Sequence, residues 1–314
     1  MGPVFVVNTE SRGQKHAYRK ANRETDVSEI FMPSLSFTSR DSLILWQPSK
    51  DPSQLATKVE EKIRLGHREF VSCGGDGTAN AIIQQLLSSK VDLSNFKLGA
   101  LALGSSNDLH KPFQTEKGRF PGLLDFENTN DIEILKVRVD ETSDVVASLN
   151  TSIGLTAEAN RTFNDFGLVG SWLKRVNVNL AIFLAILKTL FVFRPVHVSI
   201  ATPSSSFSSR CLNVQFIKQR FFAGDMAYPR PAQNGLFDMY VFEDLSYFQL
   251  FKGLLALKRE KLPELKGMKK ISTNRVRIES PTPIAFEFDG ETMRGCVFEI
   301  SISEQKLKLC RELT

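Results

Sequence analysis

Two rhythms of apolar residues divide the chain. Up to Leu109, short apolar runs alternate with segments of helical spacing. Pro3–Val7 and Leu43–Trp46 read as strands, Arg68–Ser72 as a buried strand, and Leu98–Leu103 as another apolar run. Between them, Ser53–Leu65 places Leu55, Val59 and Ile63 on one helical face and stops at Gly66. Gln14–Arg23 and Ala81–Leu87 continue helical patterns. Strands alternating with helices predict a parallel, doubly wound α/β sheet. From Ile132 the period becomes two. Ile134–Val139, Val145–Asn150, Val196–Ile200, Leu212–Phe216, Leu236–Val241, Val276–Ile278 and Phe286–Phe288 read as antiparallel strands of a second, mainly β domain. A helical insertion over roughly 170–193 interrupts them, and Ser204–Ser209 reads as a hairpin turn. The boundary falls near residue 131, with 112–130 as loop and linker.

The chain is organised around Cys73–Gly74–Gly75–Asp76–Gly77–Thr78–Ala79–Asn80, between a buried strand and a helix. The carboxyl end of a strand is where open α/β sheets bind ligands. Three glycines let the backbone approach a ligand, and the amides that open the helix can cradle phosphate oxygens. Asp76 is unusual there, because an acid repels phosphate. It points to a magnesium-bridged phosphate or to a base aimed at an attacking hydroxyl. Two further strand-end loops, Asn8–Gln14 and Gly104–Leu109, are polar. Asn8 and Ser11 suit a nucleotide contact and equally a helix cap.

Composition adds little to this picture. The chain has 314 residues, 42% hydrophobic and 24% charged, which is ordinary globular usage with length for two domains. The 24 Phe against 4 Tyr and 2 Trp suit apolar cores or apolar pocket walls. A net charge of +5, without Cys–His spacing or an arginine-rich arm, gives no reason to expect nucleic acid. Four scattered cysteines fit reduced thiols in a cytosolic protein. The first residues show no signal-peptide pattern, and position 6 is Val, which excludes the myristoylation pattern. The longest apolar run, Leu180–Leu187 continuing to Phe193, is short of the ~20 residues a bilayer needs and contains Lys188; it predicts a buried core helix. Tyr247–Lys270 combines Lys252, Lys258, Arg259, Lys261, Lys266, Lys269 and Lys270 with apolar Phe248, Phe251, Leu254 and Leu255, a pattern suited to a solvated helix or to anionic lipid.

Four motifs in order resemble the catalytic domain of the diacylglycerol kinase family, with its bacterial stand-alone lipid kinases and the sphingosine and ceramide kinases. Gly74–Thr78 matches the Gly-Gly-Asp-Gly-Thr loop in full. Gly104–Leu109 is similar to Gly-Thr-x-Asn-Asp-Phe, Pro229–Asp238 to Pro-x-Ala-x-x-Asp-Gly-x-Leu-Asp with Asn234 for the first Asp, and Asp289–Glu291 to the late Asp-Gly-Glu. Asn8–Gly13 resembles the family's Asn-Pro-x-Ser-Gly loop, with Thr9 for Pro and Arg12 inserted. The glycine loop alone also occurs in NAD kinases and phosphofructokinases.

The resemblance implies an N-terminal Rossmann-like domain, 1–131 with the last strand at 305–314, and a C-terminal antiparallel β-sandwich-like domain, 132–304, with ATP in the cleft. It implies that Gly74, Gly75 and Gly77 hold the phosphates, with Thr78, Asn8, Ser11, Gly104, Ser105, Asn107, Lys174 and Arg175 as nucleotide contacts. Asp76, Asp289 and Glu291 become the catalytic carboxylates, with Asp76 and Glu291 sharing magnesium positioning and proton acceptance, and Asp238 a further metal ligand. Asn234 stands where the family's extra magnesium needs an Asp. Glu158, in the segment Ser152–Arg161, falls at the lipid head-group site and is equally an ordinary helix-start residue. The resemblance implies that Leu180 and Phe183 wall the acyl pocket, a role compatible with plain core packing. The function implied is ATP- and magnesium-dependent phosphorylation of a lipid hydroxyl, such as diacylglycerol, by a cytoplasmic enzyme that touches membranes peripherally and admits a homodimer. The alternatives are a NAD kinase-like enzyme and an inactive lipid- or nucleotide-binding protein.

Overall fold

The computed structural model describes residues 2–11, 42–104, 107–109, 111, 124–140, 142, 145–165, 178–222, 226–243, 245–261 and 265–312. The chain forms two compact units, Met1–Glu133 with Glu304–Thr314, and Ile134–Ser303.

The first unit is built on six strands: β1 (Val4–Asn8), β2 (Leu43–Trp46), β3 (Glu69–Gly74), β4 (Lys97–Ala102), β5 (Leu124–Ile132) and β17 (Leu307–Glu312). They form one sheet in the order β2-β1-β3-β4-β17-β5. Strands β1 to β4 are mutually parallel, so their carboxyl ends lie along one edge. Val4, Val6, Phe70, Val71 and Leu98 are fully buried, as the short apolar runs require of strands covered on both faces. Helix α1 (Gln54–Arg64) buries Leu55, Val59 and Ile63, the stripe read from the sequence, and the chain turns at Gly66 with φ +97°. Ser53 does not cap this helix with its own oxygen; the Asp51 carboxylate accepts from the Ser53 and Gln54 amides instead. Helix α2 (Asp76–Ser88) starts directly behind β3.

The segment 112–130 is not all loop and linker, since β5 begins within it and forms an edge of the sheet. It pairs antiparallel with β17, whose own other neighbour is β4. Most of β5 is half-exposed and carries Asp125, Glu127, Asn128 and Asn130, so no apolar alternation betrays it. Through β17 the end of the chain returns to the first sheet, with Leu307 and Leu309 buried.

The strands of the second unit are β6 (Leu135–Val139), β7 (Val145–Ser148), β8 (Asn150–Gly154), β9 (Val196–Ala201), β10 (Ser206–Ile217), β13 (Phe237–Glu243), β14 (Met268–Thr273), β15 (Arg275–Phe288) and β16 (Glu291–Ile302). They form a nine-stranded sheet, β14-β13-β10-β8-β15-β16-β6-β7, with β9 paired to β10 and β15. Two short strands, β11 (Phe221–Phe222) and β12 (Met226–Ala227), pair separately. All pairings within the unit are antiparallel. One core contains Val137, Ile153, Val214, Phe216, Phe237, Phe286 and Phe298. The serine run straddles a hairpin whose turn spans Thr202–Ser205, so Ser206–Ser209 already belong to β10.

A second cluster joins the helices to this sheet. Leu155 from α3 (Leu155–Asn164), Leu190 and Phe193 at the end of α4 (Val178–Val192), and Leu250 and Leu257 from α5 (Tyr247–Lys258) pack around Tyr228 and Tyr240. Helix α4 is not the buried core helix that its apolarity predicts. Ala185 and Thr189 are buried, whereas Phe191 and Val192 are 67% and 73% exposed. Its uniform apolarity hides which face packs, because there is no polar face to mark the outside. No described helix is long and apolar enough to cross a membrane.

Candidate active site

Three strand-end loops of the first unit converge because β1, β3 and β4 are adjacent and parallel. Gly75 is the N-cap of α2 and lies against Gly104. A Cβ on Gly75 would come within 2.9 Å of the Gly104 Cα, and one on Gly104 would approach the Gly75 Cα more closely still. The loops therefore pack backbone on backbone. Gly74 is required for another reason, since its Cβ would collide with the Thr78 side chain. Gly77 differs, having nothing within 4 Å of the same position. It sits in the first turn of α2, where the Thr78 amide donates to the Gly75 carbonyl at 3.0 Å and the positive end of the helix attracts anions.

Side chains lock this arrangement. Asn8 Nδ2 donates to Thr78 Oγ1 at 3.0 Å, tying the end of β1 to the glycine loop. Asn107, in the left-handed region at φ +55°, accepts from the Gly104 amide at 2.8 Å and donates to the Gly104 carbonyl at 3.1 Å. Asp76 Oδ1 accepts from the Leu109 amide at 3.0 Å. Asp76 thus joins the second loop to the third while its other oxygen adds negative charge at the helix start, where a carboxylate is electrostatically favoured. Ser11 is buried, and its hydroxyl has no hydrogen-bond partner among the described residues. Asn8, Ser11, Gly74, Gly75, Gly77, Thr78, Gly104, Asn107 and Asp76 all belong to these loops. Ser105, Lys174 and Arg175 lie outside the described residues, as do the side chains of Leu180 and Phe183 on α4.

The acidic turn of the second unit is a two-residue hairpin between β15 and β16, with Phe288 opposite Glu291. Asp289 at φ +43° and Gly290 at φ +97° are its central residues, the backbone that an Asp-Gly hairpin turn requires. Asp289 Oδ2 accepts from the Leu149 amide at 3.3 Å, and Glu291 is exposed. The sequence reading missed the residue beneath them, Glu287. Its carboxylate accepts from the Gly290 amide at 2.9 Å and from Ser152 Oγ at 3.0 Å, and Thr151 Oγ1 donates to its carbonyl. Desolvation pushes the Glu287 carboxyl above its ordinary range despite those two donors. The available signal was a lone acid in the strand Ile284–Ala285–Phe286–Glu287–Phe288. Asn160 on α3 donates to the Gly290 carbonyl at 3.0 Å, fixing the turn from the helix side. Glu158 on the same helix is engaged by Arg161 at 2.7 Å and Arg294 at 3.1 Å.

Asp238 is fully buried on β13. It accepts from the Ala232 amide at 3.1 Å and Ser272 Oγ at 2.6 Å, and pairs with Lys270 at 2.9 Å. No group of three or more His, Cys, Asp or Glu suited to a metal occurs among the described residues. The basic apolar stretch 247–270 is not one surface: its helix ends at Lys258, and Lys269 and Lys270 lie on β14, paired with Glu243 and Asp238.

A largely parallel sheet with a glycine turn opening a helix, followed in the chain by a strand-rich unit, defines a mixed α/β architecture. Residues 4–137 match the model of the diacylglycerol kinase catalytic domain. The match contains all three loops of the first unit and ends within β6, before Pro229–Asp238 and Asp289–Glu291. No curated protein matches at a significant level. Solved structures from Bacillus anthracis str. Sterne share the fold at low identity. One, a candidate diacylglycerol kinase, is 14% identical with a TM-score of 0.64, over 98% of this chain and 95% of its own. A second, described as a diacylglycerol kinase, is 12% identical with a TM-score of 0.60, over 98% and 95%. A third, another candidate diacylglycerol kinase, is 13% identical with a TM-score of 0.62, over 98% and 96%.

Proposed function

We propose that the chain is a lipid kinase that transfers the γ-phosphoryl group of ATP to the hydroxyl of diacylglycerol or a related long-chain lipid alcohol. The observation that carries this reading is the first turn of α2. Its amides stand at the carboxyl ends of adjacent parallel strands, inside the residues that match the catalytic domain, and Gly77 leaves the space beside them open. The buried Ser11 hydroxyl, without a partner among the described residues, suits a polar ligand at the same loops. The residues present fit a nucleotide phosphate there.

Magnesium, when bound with the nucleotide, would neutralise phosphate charge. Asp76 would hold it from the glycine loop, and Glu291, an exposed carboxylate on a fixed turn, suits metal positioning or acceptance of the lipid hydroxyl proton. Asp289 keeps that turn in shape through its bond to Leu149. Peripheral membrane contact is proposed for α5, where exposed Phe248 and Leu255 accompany Lys252 and Lys258. Cytoplasmic placement belongs to the same reading.

The test is label transfer from γ-labelled ATP to a panel of diacylglycerol, ceramide, sphingosine and NAD, with magnesium present. Label in a lipid phosphate is expected. Label in no lipid contradicts the proposal, and label in NAD instead supports a NAD kinase.

A further inference from the structure

Two lysines from other parts of the sheet meet the segment that runs from β12 into β13. Lys218, at the end of β10, is only 7% exposed. Its ammonium donates to the Ala232 carbonyl at 2.9 Å and to the Leu236 carbonyl at 2.7 Å, one on either side of the Asn234–Gly235 turn. Asn234 and Gly235 both have positive φ, +59° and +80°, as an Asn-Gly turn readily adopts. The backbone of Lys218 is itself fixed, its amide donating to Asn150 Oδ1 at 3.0 Å. Four residues beyond Asn234, the buried Asp238 carboxylate is met by the Lys270 ammonium at 2.9 Å.

A fully buried carboxylate requires a donor or a cation, and the carbonyls that meet a buried ammonium satisfy it in turn. Lys218 and Lys270 already supply two positive charges, tethered to the chain. A divalent ion added to these oxygens would have to displace an ammonium or sit beside like charge in a poorly solvated place. Asn234 brings no negative charge to offset it. The donor set therefore does not fit the second magnesium that the resemblance implies for this segment. We infer that Lys218 and Lys270 replace that ion, so that the loop Tyr228–Asp238 is held by ammonium groups and takes up no divalent cation. This inference does not rest on the proposed kinase reaction.

The experiment uses the full chain without nucleotide, so its outcome is independent of catalysis. Bound Mn2+ is counted by electron paramagnetic resonance in the parent and in Asp238→Asn, and melting is followed in magnesium and in chelator. The inference expects Asp238→Asn to leave the Mn2+ count unchanged and the parent to melt at the same temperature in both solutions. Lys218→Met should lower the melting temperature by several degrees in either solution, since two carbonyls lose their donor. A Mn2+ site lost on Asp238→Asn would overturn the inference. So would a parent melting temperature that rises with magnesium. The parent measurement needs no variant, so a variant that fails to fold leaves the inference open to refutation.

Discussion

The glycine turn of the first unit and the Asp-Gly-Glu turn of the second unit are similar in sequence, yet different forces hold them. At Gly75 and Gly104 the backbone of one loop lies directly on that of another, and a single added carbon closes the gap. At Gly290 there is nothing within 4 Å of an added carbon, and the turn is kept by side chains: Glu287 bonded to the Gly290 amide, Asn160 to its carbonyl, and Asp289 to Leu149. A contact between backbones needs glycine itself, so it shows in a motif. A turn held by side chains shows its own residues, Asp289–Glu291, but not the partners Glu287 and Asn160 that hold it.

The comparison breaks most visibly at the glycines of the first unit's turn. Gly75→Val must push Gly104 away, and overpacking of this kind costs about 1–3 kcal/mol or more. The variant should melt well below the parent and lose nucleotide with its structure. Gly77→Val has the space to fold and should melt like the parent, while nucleotide affinity falls at least about tenfold, or ~1.4 kcal/mol. Thermal melting and calorimetric titration with ATP read both. Unchanged affinity in Gly77→Val would make the first turn of α2 a structural feature only.

A smaller effect sharpens the other side. Burial holds the Glu287 carboxyl above its ordinary pKa, so the folded state binds its proton more tightly than the unfolded chain does. Glu287 therefore contributes stability that is fully present below the ordinary carboxylate range. That contribution is lost as pH rises through the raised folded value. Glu287→Gln keeps an acceptor for Gly290 and removes the charge. It should melt higher than the parent at neutral pH, with the difference shrinking in acid. A melting series across pH checks this; a parallel pair of curves would show that the carboxyl is not displaced.

Much of the first unit was readable because its elements obey local rules. The stripe Leu55–Val59–Ile63 and the buried runs around Phe70 and Leu98 fix helix and strands without knowledge of their neighbours. Strand β5 escaped because an edge strand need not alternate. The exposed Phe191 and Val192 escaped because a helix apolar on every side hides its packed face. At the sites, Gly74–Thr78 and Gly104–Asn107 were visible as motifs, but the contact that requires Gly75 was not. Glu287, Ser152 and Lys218 were invisible for a different reason. Each acts on a residue from another element, and only the paired sheet supplies the partner. The basic run ending at Lys270 misled in the opposite direction, since neighbours in sequence separate onto a helix and a strand whose lysines already have acidic partners.

The account stands most directly on turnover by Asp76→Asn and Glu291→Gln, assayed with ATP, magnesium and the best lipid acceptor of the parent. Both changes keep size and remove charge. If these carboxylates serve phosphoryl transfer, each variant should lose about 10²–10⁴-fold in turnover while melting close to the parent. Parental turnover in both would contradict the assignment of these two turns to the transfer step.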